Sequence, residues 1–154
     1  MKKLSILVGV LILAAVGWYL LSPIWRVQVL NEDSPLVERG TPPSETTSTA
    51  AEMRVLARAL FVAKAHDVAG TALLIKRGEK SILRFENFET INGPDLHIYL
   101  SADLEGKDYI DLGSIRATKG NVNYDLPVGI DTNKYRHVLV WCVPFKVLFS
   151  FASF

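Results

Sequence analysis

The sequence predicts an all-β fold, namely an antiparallel β-sandwich of about eight strands that follows one N-terminal transmembrane helix and a linker. Three observations support this prediction. Residues 4–21 carry no charged side chain. Residues 31–48 are polar and rich in turn formers, as linkers are. From residue 59 onward, short apolar runs alternate with turn residues, a pattern typical of sandwiches and barrels.

The apolar segment 4–21 determines where the rest of the chain is expected to lie. At about 1.5 Å per residue, a helix of this length nearly spans a hydrocarbon core of about 30 Å. Lys2 and Lys3 precede the segment and favour the cytoplasmic side, while Trp18 and Tyr19 resemble interfacial aromatics. We therefore expect a single-pass cell-membrane protein that contacts the membrane through residues 4–21, with a cytoplasmic N-terminus and an extracytoplasmic C-terminal domain. A cleaved signal peptide and a buried helix are the alternatives.

The chain divides into three predicted regions. Residues 1–23 form the anchor or signal sequence, residues 24–58 a juxtamembrane linker, and residues 59–154 the sandwich. Thr49 and Glu52 have the spacing of a capping box, and apolar residues follow at helical spacing. This pattern predicts a short helix over 49–58, within the linker.

Eight candidate strands follow, separated by short segments that contain Gly, Pro, Asn or Asp. The last two are apolar at both odd and even positions, so we expect them to be central strands that Pro144 separates. The predicted strands cover residues 60–65, 70–76, 81–85, 96–100, 108–112, 121–126, 137–143 and 145–152.

Charge and cysteine content exclude several classes of function. Beyond Arg26 the chain carries 14 basic and 16 acidic residues, with no basic run, which argues against a nucleic-acid partner. Cys142 is the single cysteine and cannot form an intramolecular disulfide. The chain also lacks G-x-S-x-G, a phosphate-binding glycine loop and a C-x-x-C pair, so a hydrolase, a nucleotide enzyme and a metal site are not indicated.

Residues 83–101 form a distinctive string with Asn92-Gly93-Pro94-Asp95 at its centre. This string is similar to the core signature of the DM-thirteen family. The resemblance covers about residues 59–154, with one departure: Ala59 and Leu60 precede the first Phe, where the family usually has a glycine. Further matching positions are His66, Gly70, Ile110, Asp111, Leu112, Gly113, Gly120, Tyr124, Leu126, Pro127, Val140, Trp141, Cys142, Phe145 and residues 147–152.

The resemblance implies an extracytoplasmic β-sandwich with a role in redox chemistry or electron transfer, centred on the cysteine that corresponds to Cys142. A redox thiol, a mixed disulfide and a haem thiolate are the forms that this role can take. The residues alone favour a different interpretation. Cys142 stands between Trp141 and Val143 in an apolar strand, where burial makes a thiol inert and a cysteine packs as a small hydrophobe.

The histidines and one turn are the remaining candidates. His97 and His137 lie on strands that could approach Cys142, so with Trp141 they are weak candidates for binding a cofactor such as haem. His66 precedes a turn and is expected to be a hydrogen-bonding loop residue. The Asn92-Gly93-Pro94-Asp95 segment is expected to be a turn, with a ligand-contacting loop as the alternative.

Two hypotheses of function remain open. The first is a membrane-anchored redox or electron-transfer module in which Cys142 reacts with an extracytoplasmic redox partner. The second is a non-catalytic binding or scaffolding domain with a structural core cysteine.

Overall fold

The computed structural model describes residues 2–21, 27–36 and 53–154. It contains one helix, α1 (Lys2–Leu21), and ten strands within the described residues. The strands are β1 (Val29–Asn31), β2 (Met53–Leu60), β3 (Val62–Ala63), β4 (Val68–Arg77), β5 (Lys80–Thr90), β6 (Leu96–Ser101), β7 (Tyr109–Ser114), β8 (Lys119–Leu126), β9 (His137–Cys142) and β10 (Val147–Ser153).

The strands form two five-stranded sheets that share one apolar core. Sheet A has the order β1-β8-β5-β4-β2, and sheet B has the order β3-β10-β9-β6-β7. Side chains at alternate positions point inward from both sheets, such as Phe85 and Val122 from sheet A and Ile98 and Val140 from sheet B. The predicted all-β, two-layer architecture is confirmed, and β9 is the central strand of sheet B as expected.

The N-terminal helix corrects the prediction of a transmembrane segment. Within the described residues, no helix is long and apolar enough to cross a membrane. Helix α1 has 20 residues and includes Lys2 and Lys3.

The predicted helix over 49–58 is also wrong where the structure describes it. Residues 53–60 form strand β2, which pairs antiparallel with β4 over its length, from Met53 with Arg77 to Leu60 with Thr71. Ala57 and Ala59 pack on the core. The tertiary pairing with β4 overrides a local pattern that is weak on its own. Residues 49–52, with the proposed capping box, lie outside the described part of the chain.

A second difference concerns residues 27–36, here called the strap. They fall in the predicted linker, yet β1 adds to the edge of sheet A, parallel to β8, with Leu30 opposite Gly120. The sandwich is therefore mixed rather than wholly antiparallel. The strap continues across the outer face of sheet A, where the carbonyls of Glu32 and Asp33 accept hydrogen bonds from Arg84.

Gly120 is required where β1 meets β8. Its φ is +122°, and a Cβ built there would overlap the Leu30 carbonyl oxygen. We expect Gly120→Ala to lower the free energy of unfolding by about 2 kcal/mol or more, because it adds a clash with β1 to the backbone strain. Urea denaturation measures this loss.

Gly129→Ala is the matched control. Gly129 also has a positive φ, +80°, but a Cβ there would meet no atom within 4 Å. The free energy of unfolding of Gly129→Ala should fall by only about 1 kcal/mol, the cost of placing alanine at a positive φ. Equal decreases in the free energy of unfolding for the two variants would mean that β1 does not pack closely against Gly120.

Candidate functional site

Cys142 lies at the end of β9, in the interior of the domain. It pairs with Leu96 on β6 and with Val147 on β10. Its side chain shares the inward face with Val138 and Val140, belongs to the core cluster and is 0% exposed as a free thiol. A partner molecule therefore cannot touch the sulfur unless the domain opens.

Trp141 precedes Cys142, and strand alternation places it on the outer face of sheet B. There it lies opposite His97 of β6. The indole is partly buried, and the loop between β6 and β7 covers it, because a Cβ built at Gly106 would be 3.3 Å from the ring. The two neighbours in sequence thus face opposite environments, the thiol a dry core and the indole the outer surface.

Three aromatic rings form a continuous row on this outer face, here called the aromatic row: Trp141, Tyr99 and Tyr109. The Tyr99 and Trp141 rings stack with centroids 6.1 Å apart and planes 26° apart. The Tyr99 and Tyr109 rings stack at 4.0 Å and 16°. Tyr99 is 4% exposed and Tyr109 is 43% exposed. The row therefore runs from the neighbour of Cys142 across β6 to the solvent at edge strand β7.

The phenol of Tyr99 is held in its protonated form. Burial above all, together with the neighbouring Tyr109 phenol and the carboxylates of Asp111 and Asp95, raises the pKa of Tyr99 to about 12. Tyr99 is therefore neutral at ordinary pH, and its ring lies against that of the more exposed Tyr109.

His97 lies beside the aromatic row and joins the turn before β6 to strand β7. With the proton on Nδ1, it donates to the carboxylate of Asp111, at 3.0 and 2.8 Å from the two oxygens. Its Nε2 is 3.3 Å from Asp95 Oδ1 and 3.3 Å from Ser114 Oγ. The Asn92-Gly93-Pro94-Asp95 segment thus connects β5 to β6 with a bend at Pro94 and Asp95, and its last residue lies against the His97 ring.

The other two histidines lie away from Cys142. His137 begins β9, at the opposite end from Cys142, and its Nδ1 is 2.7 Å from Ser153 Oγ. His66 packs on the Phe149 ring with centroids 4.1 Å apart. The structure therefore does not bring His97 or His137 to the thiol, since His97 lies on the outer face with Trp141 while Cys142 faces the core.

His137 gives the domain a pH-dependent stability. Burial lowers the pKa of His137 below its usual 6.5, and the charge of Arg136 lowers it further. The unfolded chain therefore binds a proton more readily, so this contribution to stability is present above pH 6.5 and is lost as the pH falls below it. We expect the free energy of unfolding to decrease from about pH 8 to about pH 5, and to decrease less in His137→Asn.

Urea denaturation at several pH values, on the two chains in parallel, measures this difference. The comparison isolates His137 from the other titrating groups, because those are common to both chains. Identical pH dependence would show that His137 titrates alike in the folded and unfolded states.

The residues around Cys142 do not fit a haem or a metal ion. Within the described residues, no group of three or more His, Cys, Asp and Glu side chains is arranged to hold a metal ion. Haem needs a pocket, and ligand pockets are usually several hundred Å³. Cys142 instead packs wholly within the apolar core, and clefts such as that lined by Asp67, Glu89 and Asn92 do not include it.

The strap carries a second polar arrangement that the sequence analysis did not find. Arg84 is buried, and its Nη1 donates to Asn123 Oδ1 at 2.9 Å, while its Nε donates to Glu86 Oε1 at 3.0 Å. Glu32 accepts from Arg116 Nη2 and from the Asn123 backbone N–H, both at 2.7 Å. Such contacts leave no apolar periodicity in the sequence, which is why the strap resembled a linker.

Comparison with known proteins identifies the class of this chain. The fold is a two-sheet β domain with one buried cysteine beside an aromatic row, and residues 60–154 match the family described as electron transfer DM13. The match covers more than half of the chain, so the protein belongs to this family, and the predicted resemblance is confirmed. No curated protein and no solved structure matches the chain significantly.

Proposed function

We propose that this protein is a redox module whose centre, Cys142, exchanges electrons with a partner through the protein rather than by direct contact. The observation that carries this proposal is the position of a fully buried thiol next to Trp141, whose ring belongs to a row that reaches the surface. Membership of the electron transfer DM13 family supports a redox-related role.

Burial determines which redox chemistry is open to Cys142. Thiol–disulfide exchange requires a thiolate to attack a disulfide sulfur, so the two sulfurs must touch. A thiol that is 0% exposed among Val138, Val140 and Leu96 cannot meet this requirement. Electron transfer does not require contact between the partner and the sulfur, and it therefore suits this site.

The test exposes the native chain to two oxidants, one that must contact the sulfur and one that need not. An aromatic disulfide reagent reacts with thiols by contact, whereas a photogenerated ruthenium(III) polypyridyl complex removes one electron at a distance. We expect peptide mass spectrometry to find Cys142 oxidised by the ruthenium complex and untouched by the disulfide. Unmodified Cys142 after exposure to both, with oxidised surface tyrosines, would contradict the proposal.

A binding or scaffolding domain is the second candidate function. It is favoured by the packing of Cys142, which fills the core beside Val140 as a small apolar residue would. If Cys142→Ala retains the fold and the native chain resists both oxidants, this second function is the better explanation.

We also propose that the domain acts outside the cytoplasm. The apolar residues 4–21 behind Lys2 and Lys3 support export, whether or not the segment is cleaved. Membrane attachment through residues 4–21 stays a prediction. Intact cells that produce the chain, treated with a protease that cannot cross membranes, test the location: digestion of the domain supports it, and protection until the cells are lysed contradicts it.

A further inference from the structure

A buried redox thiol needs a route for electrons, and the ring contacts of the domain offer one. Within residues 53–154, the other ring contacts join phenylalanines to each other, to Tyr124 or to His66, or join His97 to Tyr99. Phenylalanine is not oxidised under mild conditions, whereas tyrosine and tryptophan are. The aromatic row is the set in this part of the chain where rings that can be oxidised touch one another.

The position of the row matches such a route at both ends. Trp141 adjoins Cys142 in the chain, and its ring stacks on Tyr99 at 6.1 Å. Tyr109 is 43% exposed on the edge strand, where a partner can approach it. Tyr99, between them, is almost completely buried and is shielded from side reactions with solvent.

We propose that the aromatic row conducts single electrons between Tyr109 at the surface and Trp141, and that Tyr109 marks the docking point of a one-electron redox partner. This inference rests on the proposed redox role of Cys142, but the row itself consists of Trp141, Tyr99 and Tyr109 and can be measured without the thiol.

The steps balance when Trp141 is oxidised first. An azide radical takes one electron from the indole and becomes azide anion, and the indole N–H proton goes to water. The Trp141 radical then takes an electron from Tyr99 and regains a proton from water. The phenolic proton of Tyr99 goes to water. The resulting Tyr99 radical takes an electron from Tyr109 and a proton from water, while Tyr109 releases its phenolic proton to water, which leaves a tyrosyl radical at the surface.

Pulse radiolysis with azide radicals tests this on the full chain carrying W18F and W25F, which leave Trp141 as the one tryptophan. The readouts are the decay of the indole radical and the growth of the tyrosyl radical. We expect decay and growth at a common rate that does not depend on protein concentration. Y99F should slow the transfer at least about tenfold, equivalent to about 1.4 kcal/mol in the barrier.

Y124F is the matched control, because Tyr124 packs against Phe85 in the core and is not part of the row. It should leave the transfer rate unchanged. Conduction along the aromatic row is contradicted if Y99F transfers electrons as fast as the parent chain. It is also contradicted if the transfer rate rises with protein concentration, because that would mean transfer between molecules.

Adding C142S to each chain separates the two proposals. If transfer along the aromatic row persists with C142S while native Cys142 resists the ruthenium oxidant, the proposed conduction along the row is supported and the proposed redox role of Cys142 is contradicted. If Cys142 is oxidised as efficiently in Y99F as in the parent chain, the redox role of Cys142 is supported and conduction along the aromatic row is contradicted.

Discussion

Alkylation of Cys142 by a thiol reagent is expected to be slower in the native chain than in denaturant by a factor of about 10³ or more. The sulfur is 0% exposed and lies in the shared core of both sheets, on the central strand of sheet B. A reagent can reach it only when that core opens, so the rate follows the small population of open molecules. Mass spectrometry of samples quenched over time gives both rates.

An exposed thiol supplies the control for this comparison. Glu79 lies in the exposed turn between β4 and β5, so E79C in a C142S background should be alkylated at similar rates in buffer and in denaturant. Fast native alkylation of Cys142 would mean that β9 opens readily. Thiol–disulfide exchange by direct contact would then be open to Cys142, and electron transfer through Trp141 would no longer be needed to reach it.

The fold class could be predicted because alternation and turn residues survive in the strands of the core. In β5, Leu83 and Phe85 face inward while Arg84 and Glu86 face outward, and this pattern is readable from the sequence alone. β2 was missed because it is an edge strand whose small inward residues, Ala57 and Ala59, also suit a helix.

The candidate site was only partly predictable, since it depends on register. Alternation places Trp141 and Cys142 on opposite faces of one strand, which the sequence implies once β9 is recognised. The pairing of β6 with β9 and β7 determines the other contacts of the site. It places Trp141 opposite His97 and stacks Tyr99 between Trp141 and Tyr109. No local pattern encodes which strands pair, so the row could not be found from the sequence.

The strap raises a related question about where the domain begins. Residues 60–154 match the family, yet β1 and most of β2 lie before residue 60 and complete both edges of sheet A. Removing them would expose the edges of β8 and β4, and unpaired edges invite association with other chains. We therefore take residues 27–36 as part of the folded unit.

Glu32→Ala is expected to lower the free energy of unfolding by about 2–3 kcal/mol, because hydrogen bonds to charged groups contribute more than neutral ones. The Glu32 carboxylate is 24% exposed and accepts from Arg116 and from the Asn123 backbone. Its loss leaves the partly buried Asn123 N–H without this acceptor and removes one of the contacts that hold the strap on β8. Urea denaturation followed by circular dichroism measures the change.

Glu89→Ala is the matched control, since Glu89 also pairs with a cation, Lys119 Nζ at 2.9 Å, but its side chain is 58% exposed. Exposed ion pairs contribute about 0–1 kcal/mol, so this variant should lose no more than that. Equal small losses in both variants would show that the strap is a loosely held linker, as the sequence suggested. A large loss at Glu32 alone, accompanied by faster alkylation of Cys142, would show that the strap stabilises the same cooperative unit that encloses the thiol.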